Sequence, residues 1–123
     1  MAPTLKGSAR RTSREIILGI DPGSLVTGWG LVEAETNQLR YQAHGIIATS
    51  AALALAERLS LIYRGLHEII DHYHPTAVSL EKVLFSRNVQ SALKLGQARG
   101  VALLAAAEHR IGIAEYSAAE IKV

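Results

Sequence analysis

The sequence predicts an α/β fold in which a mixed five-stranded sheet has helices packed on it. Residues 16–20 form an apolar run without alternation, as in a central strand that is covered on both faces. Residues 55–73 repeat apolar side chains at intervals of three and four, which is typical of an amphipathic helix. The predicted element order, βββαβαβ, gives a three-strand antiparallel meander and two crossovers to parallel strands.

The first two strands form a predicted hairpin with a carboxylate at its tip. The strand at 16–20 ends on Asp21, and Pro22-Gly23 follows at once. Proline restricts one backbone dihedral and glycine permits a positive φ, so we expect a turn here. Residues 24–33 then form the second strand, whose glycines let another backbone or a ligand approach closely.

A turn at residues 35–37 and a third strand over 39–49 lead to the first helix. Thr49 or Ser50 is the predicted N-cap of that helix. The apolar face of the helix comprises Leu55, Leu59, Ile62, Leu66, Ile69 and Tyr73.

Three further elements are predicted after Pro75, which is expected to end the first helix. They are a short strand over 76–81, a second helix from about residue 88 to residue 110, and a strand over 111–116. The second helix carries a flat stripe of small residues that would pack closely against either the sheet or a partner subunit. This stripe consists of Ala92, Gly96 and Gly100.

The composition describes one small cytoplasmic domain over residues 15–123. The sequence has no run near the roughly 18 apolar residues that span a membrane, and no signal-peptide pattern. The absence of cysteine excludes disulfides and thiolate metal sites. Residues 1–14 hold four of the 13 basic residues and are interpreted as a disordered basic leader, with an ordered arm that grips phosphate as the alternative.

Two acids close strands that are predicted to be parallel, Asp21 and Glu81. If these strands are neighbours, their tips lie about 4.8 Å apart. Carboxylate oxygens at that spacing suit Mg²⁺, and paired metal ions assist phosphodiester hydrolysis. The alternative is an ordinary surface glutamate after a strand. The spacing therefore indicates phosphoryl transfer or phosphodiester hydrolysis, and the surface glutamate remains the alternative.

Four motifs carry a family resemblance: Gly19–Ser24, Thr27–Gly30, Leu80–Val83, and Asn88 with Ser91–Gly100. They are similar to the RuvC family of Holliday-junction resolvases, and the similarity extends over residues 16–123. The resemblance implies a ribonuclease-H-like fold and a homodimer that nicks four-way DNA junctions symmetrically in recombination and DNA repair. It also implies two Mg²⁺ ions per active site, with Mn²⁺ as a substitute, and RuvA and RuvB as branch-migration partners.

The resemblance assigns roles to single residues. Asp21 and Glu81 match the first two metal-binding acids of the family, and Lys122 matches a catalytic lysine near the scissile phosphate, where a positive charge stabilises developing negative charge. The family tends to carry a base-stacking aromatic three residues after the glutamate, but this position is Leu84 here and Phe85 follows it. Either Phe85 stacks on bases or Leu84 acts as a wedge, and core packing of Phe85 is the alternative. The expected DNA-binding residues are Ser24, Leu84, Phe85, Arg87, Lys94 and Lys122, although a solvated face explains Arg87 and Lys94 equally well.

The family completes its metal site with further acids on a C-terminal helix, and the sequence ends at Val123 before such a segment. We therefore expect a C-terminally truncated chain with an incomplete active site that binds Mg²⁺ poorly and cuts slowly. Glu115 could approach the site, although an ordinary solvated carboxylate is the favoured interpretation.

Two other functions remain open at this point. One is a non-catalytic module that binds junctions. The other is an actin-like phosphate-binding ATPase, because an Asp-x-Gly-Ser hairpin cradles phosphates in that class.

Overall fold

The computed structural model of the chain describes residues 14–81 and 89–116. The elements in chain order are β1 (Arg14–Asp21), β2 (Val26–Glu35), β3 (Gln38–Ala48), α1 (Leu55–Tyr73), β4 (Ala77–Glu81), α2 (Val89–Glu108) and β5 (Gly112–Tyr116). This order confirms the predicted βββαβαβ arrangement. The predicted leader overlaps β1 by one residue, because Arg14 is the first residue of the strand and forms an ion pair with Glu33.

The sheet has the strand order β3-β2-β1-β4-β5. The pairs β1–β2 and β2–β3 are antiparallel, whereas β1–β4 and β4–β5 are parallel. The predicted mixed five-stranded sheet is therefore confirmed, and β1 occupies its centre. The carboxyl ends of β1, β4 and β5 meet at one edge, because parallel neighbours run in the same direction.

The core lies between one face of the sheet and the two helices. Alternate residues of the three central strands point toward α1 and α2, and Leu18, Leu31 and Leu80 among them are fully buried. Within residues 14–81 and 89–116, helices cover this face alone, so the expectation that β1 is covered on both faces is not met by the described residues. The core residues of the helices are Ile62, Leu66, Ile70, Ala102, Ala105 and Ala106.

The start of α1 differs from the prediction. Ala54 is the N-cap and offers no side-chain hydrogen bond, and the Glu57 carboxylate accepts a hydrogen bond from the Ala54 amide at 3.3 Å. Thr49 and Ser50 therefore do not cap the helix. The Thr49 hydroxyl instead donates to the Ser24 carbonyl at 2.8 Å, which ties the end of β3 to the loop after Asp21. The helix ends before Pro75 as expected, with His74 in the left-handed conformation at φ 51.

A cluster at the solvent side joins α1 to α2. The Tyr63 hydroxyl donates a hydrogen bond to the Glu108 carboxylate, and the His67 and His109 ring centroids are 4.7 Å apart. The hydrogen bond and the negative charge of Glu108 raise the pKa of Tyr63 above its ordinary value. These contacts help to fix the position of α2 relative to α1.

The small-residue stripe of α2 faces away from the sheet. A side chain built at Gly96 or Gly100 would meet no atom within 4 Å, and Ala92 is exposed. Among the described residues, nothing packs on this stripe, so the alternative in which it meets the sheet is wrong. No helix in the described part of the chain has the length and hydropathy of a membrane span.

Candidate functional site

Asp21 and Glu81 are brought together at the carboxyl ends of β1 and β4. The parallel register pairs Ile20 with Leu80, so the next residues along both strands are neighbours. Ile20 and Leu80 are buried against the helices, and Asp21 and Glu81 are exposed on the opposite face of the sheet. Adjacent strands lie about 4.7–4.9 Å apart, so the two carboxylates can reach a common ion.

Glycine backbone surrounds the Asp21 side of this pair. Gly28 lies opposite Asp21 in the β1–β2 register, and a side chain built at Gly28 would come within 3.9 Å of the Asp21 Cβ atom. The depression here has a volume of about 320 Å³. Because Gly19 and Gly30 also lack side chains, a polar group of a ligand can approach the backbone closely. The lining residues are Gly19, Ile20, Asp21, Gly28, Trp29, Gly30 and Gly45.

The donor set fits a hard divalent cation. Both groups are carboxylates, and no described residue forms an ion pair or a side-chain hydrogen bond with either of them. Mg²⁺ is commonly held by one or two carboxylates, with water and substrate phosphate as its other ligands. Within residues 14–81 and 89–116 there is no group of three or more acids or histidines that could hold a metal ion. Two carboxylates would leave the other coordination positions of such a cation to water and substrate.

The turn after Asp21 is closed by Thr27. The Thr27 hydroxyl donates to the Gly23 carbonyl at 2.8 Å and accepts from the Gly23 amide at 3.2 Å, and this side chain is fully buried. The expected positive φ is wrong, since no described glycine has one. Gly23 is required for space, because a Cβ atom there would lie 2.3 Å from the Val26 carbonyl oxygen. The sequence analysis placed Thr27 in a motif of the resemblance but did not predict its role in closing the turn, for which the signal is its spacing of four residues from Gly23.

Replacing Thr27 with valine is expected to lower the free energy of unfolding by about 1–2 kcal/mol, because a side chain of the same shape would lose two hydrogen bonds in a buried position. Urea denaturation followed by circular dichroism measures the change. Ser79→Ala, which removes a half-buried hydroxyl of β4 that has no hydrogen-bond partner among the described residues, is the control. A Thr27→Val variant as stable as this control would show that the turn does not depend on the hydroxyl.

Arg99 connects the ends of β4 and β5. Its Nε atom donates to the Glu81 carbonyl oxygen at 3.3 Å, and its Nη2 atom lies 2.5 Å from Glu115 Oε2. Glu115 pairs with Leu80 in the β4–β5 register, so it lies on the face that the helices cover. The expectation that Glu115 could approach the acid pair is therefore wrong. The favoured interpretation, a solvated carboxylate at the sheet edge, agrees with the exposed position of Glu115, and the ion pair with Arg99 is an additional contact that was not predicted.

The predicted DNA-binding residues are only partly within the described chain. Ser24 lies half-buried in the loop after Asp21, and Lys94 is exposed on α2. Leu84, Phe85, Arg87 and Lys122 lie outside the described residues. The roles of all six in DNA binding stay predictions.

Comparison with known proteins identifies a family. The family model described as "Crossover junction endodeoxyribonuclease RuvC" matches residues 17–123. A protein of that name from Legionella pneumophila (strain Lens) is 53% identical over 107 residues, covering 87% of this chain and 62% of the relative. The corresponding protein of Pseudomonas fluorescens (strain SBW25) is 50% identical over 107 residues, covering 87% and 61%. The chain thus spans about three fifths of the length of these relatives.

A solved structure agrees with this assignment. "T. thermophilus RuvC in complex with Holliday junction substrate" is similar with a TM-score of 0.78 and 31% identity, covering 84% of this chain and 65% of that chain. This similarity confirms the ribonuclease-H-like fold that the resemblance implied. The family match covers β2 to β5 completely and β1 from residue 17, and so includes both strands that carry the acid pair. The chain belongs to the RuvC family of crossover junction endodeoxyribonucleases.

Proposed function

We propose that this chain provides the catalytic domain of an endonuclease that resolves four-way DNA junctions by Mg²⁺-dependent symmetrical nicking. The observation that carries the proposal is the pair Asp21 and Glu81, exposed side by side at the ends of β1 and β4. Family membership adds the substrate class, since a similar Thermus thermophilus protein is described in complex with a Holliday junction.

The acid pair would hold Mg²⁺, which supplies charge stabilisation for the transferring phosphate and lowers the pKa of bound water. Asp21 is held by the hairpin that Thr27 closes, and Glu81 by the pairing of β4 between β1 and β5. The glycines beside Asp21 leave room for a phosphodiester backbone. These residues bind and orient the reacting groups at the edge of a rigid sheet.

The outer face of α2 supports a homodimer. Val89, Leu93 and Leu104 are 73%, 60% and 52% exposed, and they share a face with Gly96 and Gly100. Small residues in the middle of an apolar stripe let two helices approach closely, so a second copy of the chain is the proposed occupant. A dimer would bring two acid pairs to the junction, one for each of the two DNA strands that are cut.

The test of the nuclease function uses full-length protein and a four-way junction labelled on each strand. We expect paired nicks at symmetrical positions when Mg²⁺ is added, and Mn²⁺ in its place should also support them. Linear duplex of the same sequence should be cut far less. Junction binding without cuts under all metal conditions would favour the non-catalytic alternative. Nucleotide binding in calorimetry, with no junction binding, would favour the ATPase alternative.

Replacing Leu93 with glutamate is expected to weaken dimerisation more than tenfold, because a charge would be buried against the apolar stripe of the partner. Sedimentation equilibrium over a dilution series measures the dissociation constant. Leu61→Glu, at an exposed leucine on α1, is the matched control. Equal dissociation constants for the two variants would show that α2 is not the dimer surface.

A further inference from the structure

We infer that Arg99 is a positioning residue for the active site: it fixes the end of β4 and thereby sets where the Glu81 carboxylate stands beside Asp21. This inference rests on the proposed nuclease function. The Arg99–Glu115 ion pair would hold the end of β4 in place, and the exposed carboxylates of Asp21 and Glu81 make no contacts with the described residues that would do so.

The geometry of one guanidinium carries the argument. The Nε atom donates to the Glu81 carbonyl oxygen at 3.3 Å, and the Nη2 atom contacts the Glu115 carboxylate at 2.5 Å. The Arg99 side chain is 18% exposed and that of Glu115 is 37% exposed, so the guanidinium is the more buried partner of this ion pair. A planar guanidinium has several fixed donors, and the ammonium of a lysine is a compact point charge without that fork. Arginine is therefore suited to holding a carbonyl and a carboxylate at once.

These contacts tie together three elements. Arg99 lies in the middle of α2, Glu81 ends β4, and Glu115 is the last residue but one of β5. Because β5 is an edge strand and β4 is only five residues long, a side-chain contact at their carboxyl ends adds to the backbone pairing of these strands. Arg99 links both ends to a helix that is packed in the core at the nearby residues Ala98 and Ala102.

The Glu81 side chain depends on this anchoring. It is exposed, and no described residue donates a hydrogen bond to its carboxylate, so its position follows from the backbone of β4. A displacement of about 1 Å between reacting groups lowers the reaction rate by up to about 10²-fold. The same contacts give Arg99 partners within the protein, which distinguishes it from an exposed cation such as Lys94 that is available to DNA phosphate.

The test compares Arg99→Ala with Arg14→Ala in full-length protein. Arg14 also forms an ion pair, with Glu33, but at the opposite end of the sheet from the acids. For Arg99→Ala we expect junction cleavage to fall roughly tenfold or more and the Mg²⁺ concentration for half-maximal rate to rise several-fold. Junction affinity measured without metal, and the midpoint of thermal unfolding, should match those of the control. Arg99→Lys should recover little, because the lysine cannot hold both partners.

A second readout does not depend on cleavage. Hydrogen exchange at the carboxyl ends of β4 and β5 should accelerate in Arg99→Ala and remain unchanged in Arg14→Ala. Unchanged exchange in Arg99→Ala would overturn the inference, whether or not the wild-type protein cuts junctions. A wild-type protein that cuts no junctions would instead refute the proposed nuclease function. Equal loss of junction affinity and cleavage in Arg99→Ala would also overturn it, since that result assigns Arg99 to direct DNA binding.

Discussion

Replacing Asp21 with asparagine is expected to lower Mg²⁺-dependent junction cleavage by at least about 10³-fold. The amide retains the shape of the carboxylate but removes the negative charge that would hold the cation in the proposed site. Charge stabilisation by a bound metal contributes several kcal/mol to the transition state, and each 1.36 kcal/mol lost is a tenfold loss of rate. Single-turnover cleavage of a labelled four-way junction measures the effect. Junction affinity without metal should change little, since Asp21 contributes no positive charge to the DNA contact.

The matched control for this change is Asp71→Asn, at an exposed aspartate near the end of α1. It should leave cleavage unchanged. Glu81→Gln should reproduce the loss seen with Asp21→Asn, and the double variant should be little worse than either, because two ligands of one ion act as a unit. Cleavage within tenfold of wild type in Asp21→Asn would remove Asp21 from the metal site.

The acid pair shows what could be predicted from the sequence. The apolar run before Asp21 indicated a central strand, and the βαβ order made β1 and β4 parallel. These two statements place the ends of both strands at one edge of the sheet, and the register of Ile20 with Leu80 confirms the placement. Residues whose positions follow from periodicity and chain order were therefore predictable.

The supports of that pair could not be predicted in the same way. Arg99 and Glu81 are 18 residues apart in sequence, and their contact depends on the rotation of α2 about its axis as well as on its existence. Thr27 was assigned to a strand correctly, but its hydrogen bonds to Gly23 depend on the exact path of the turn. Periodicity specifies which face a side chain occupies, whereas these polar contacts depend on shifts of a few tenths of an ångström.

Gly23 gives the second large expected effect. Replacing it with alanine should lower the free energy of unfolding by about 1–3 kcal/mol, since overpacking a tight position forces the backbone to move. The new Cβ atom would lie 2.3 Å from the Val26 carbonyl oxygen, which is backbone and cannot rotate away as a side chain could. This backbone movement would open the turn that Thr27 closes. Asp21 lies two residues before Gly23, so its position would change as well. Cleavage should therefore fall by about 10²-fold as well.

Denaturant unfolding and single-turnover cleavage of the same preparation separate these two consequences. Gly112→Ala is the matched control, because a Cβ atom there meets nothing within 4 Å. The control should keep both its stability and its rate. A second comparison, with Thr27→Val, distinguishes the origin of the activity loss: that variant weakens the same turn without adding an atom to it. If Gly23→Ala cuts more slowly than Thr27→Val at equal stability, the displacement of Asp21 causes the loss. If Gly23→Ala is as stable and as active as Gly112→Ala, the turn tolerates a side chain and its steric role is wrong.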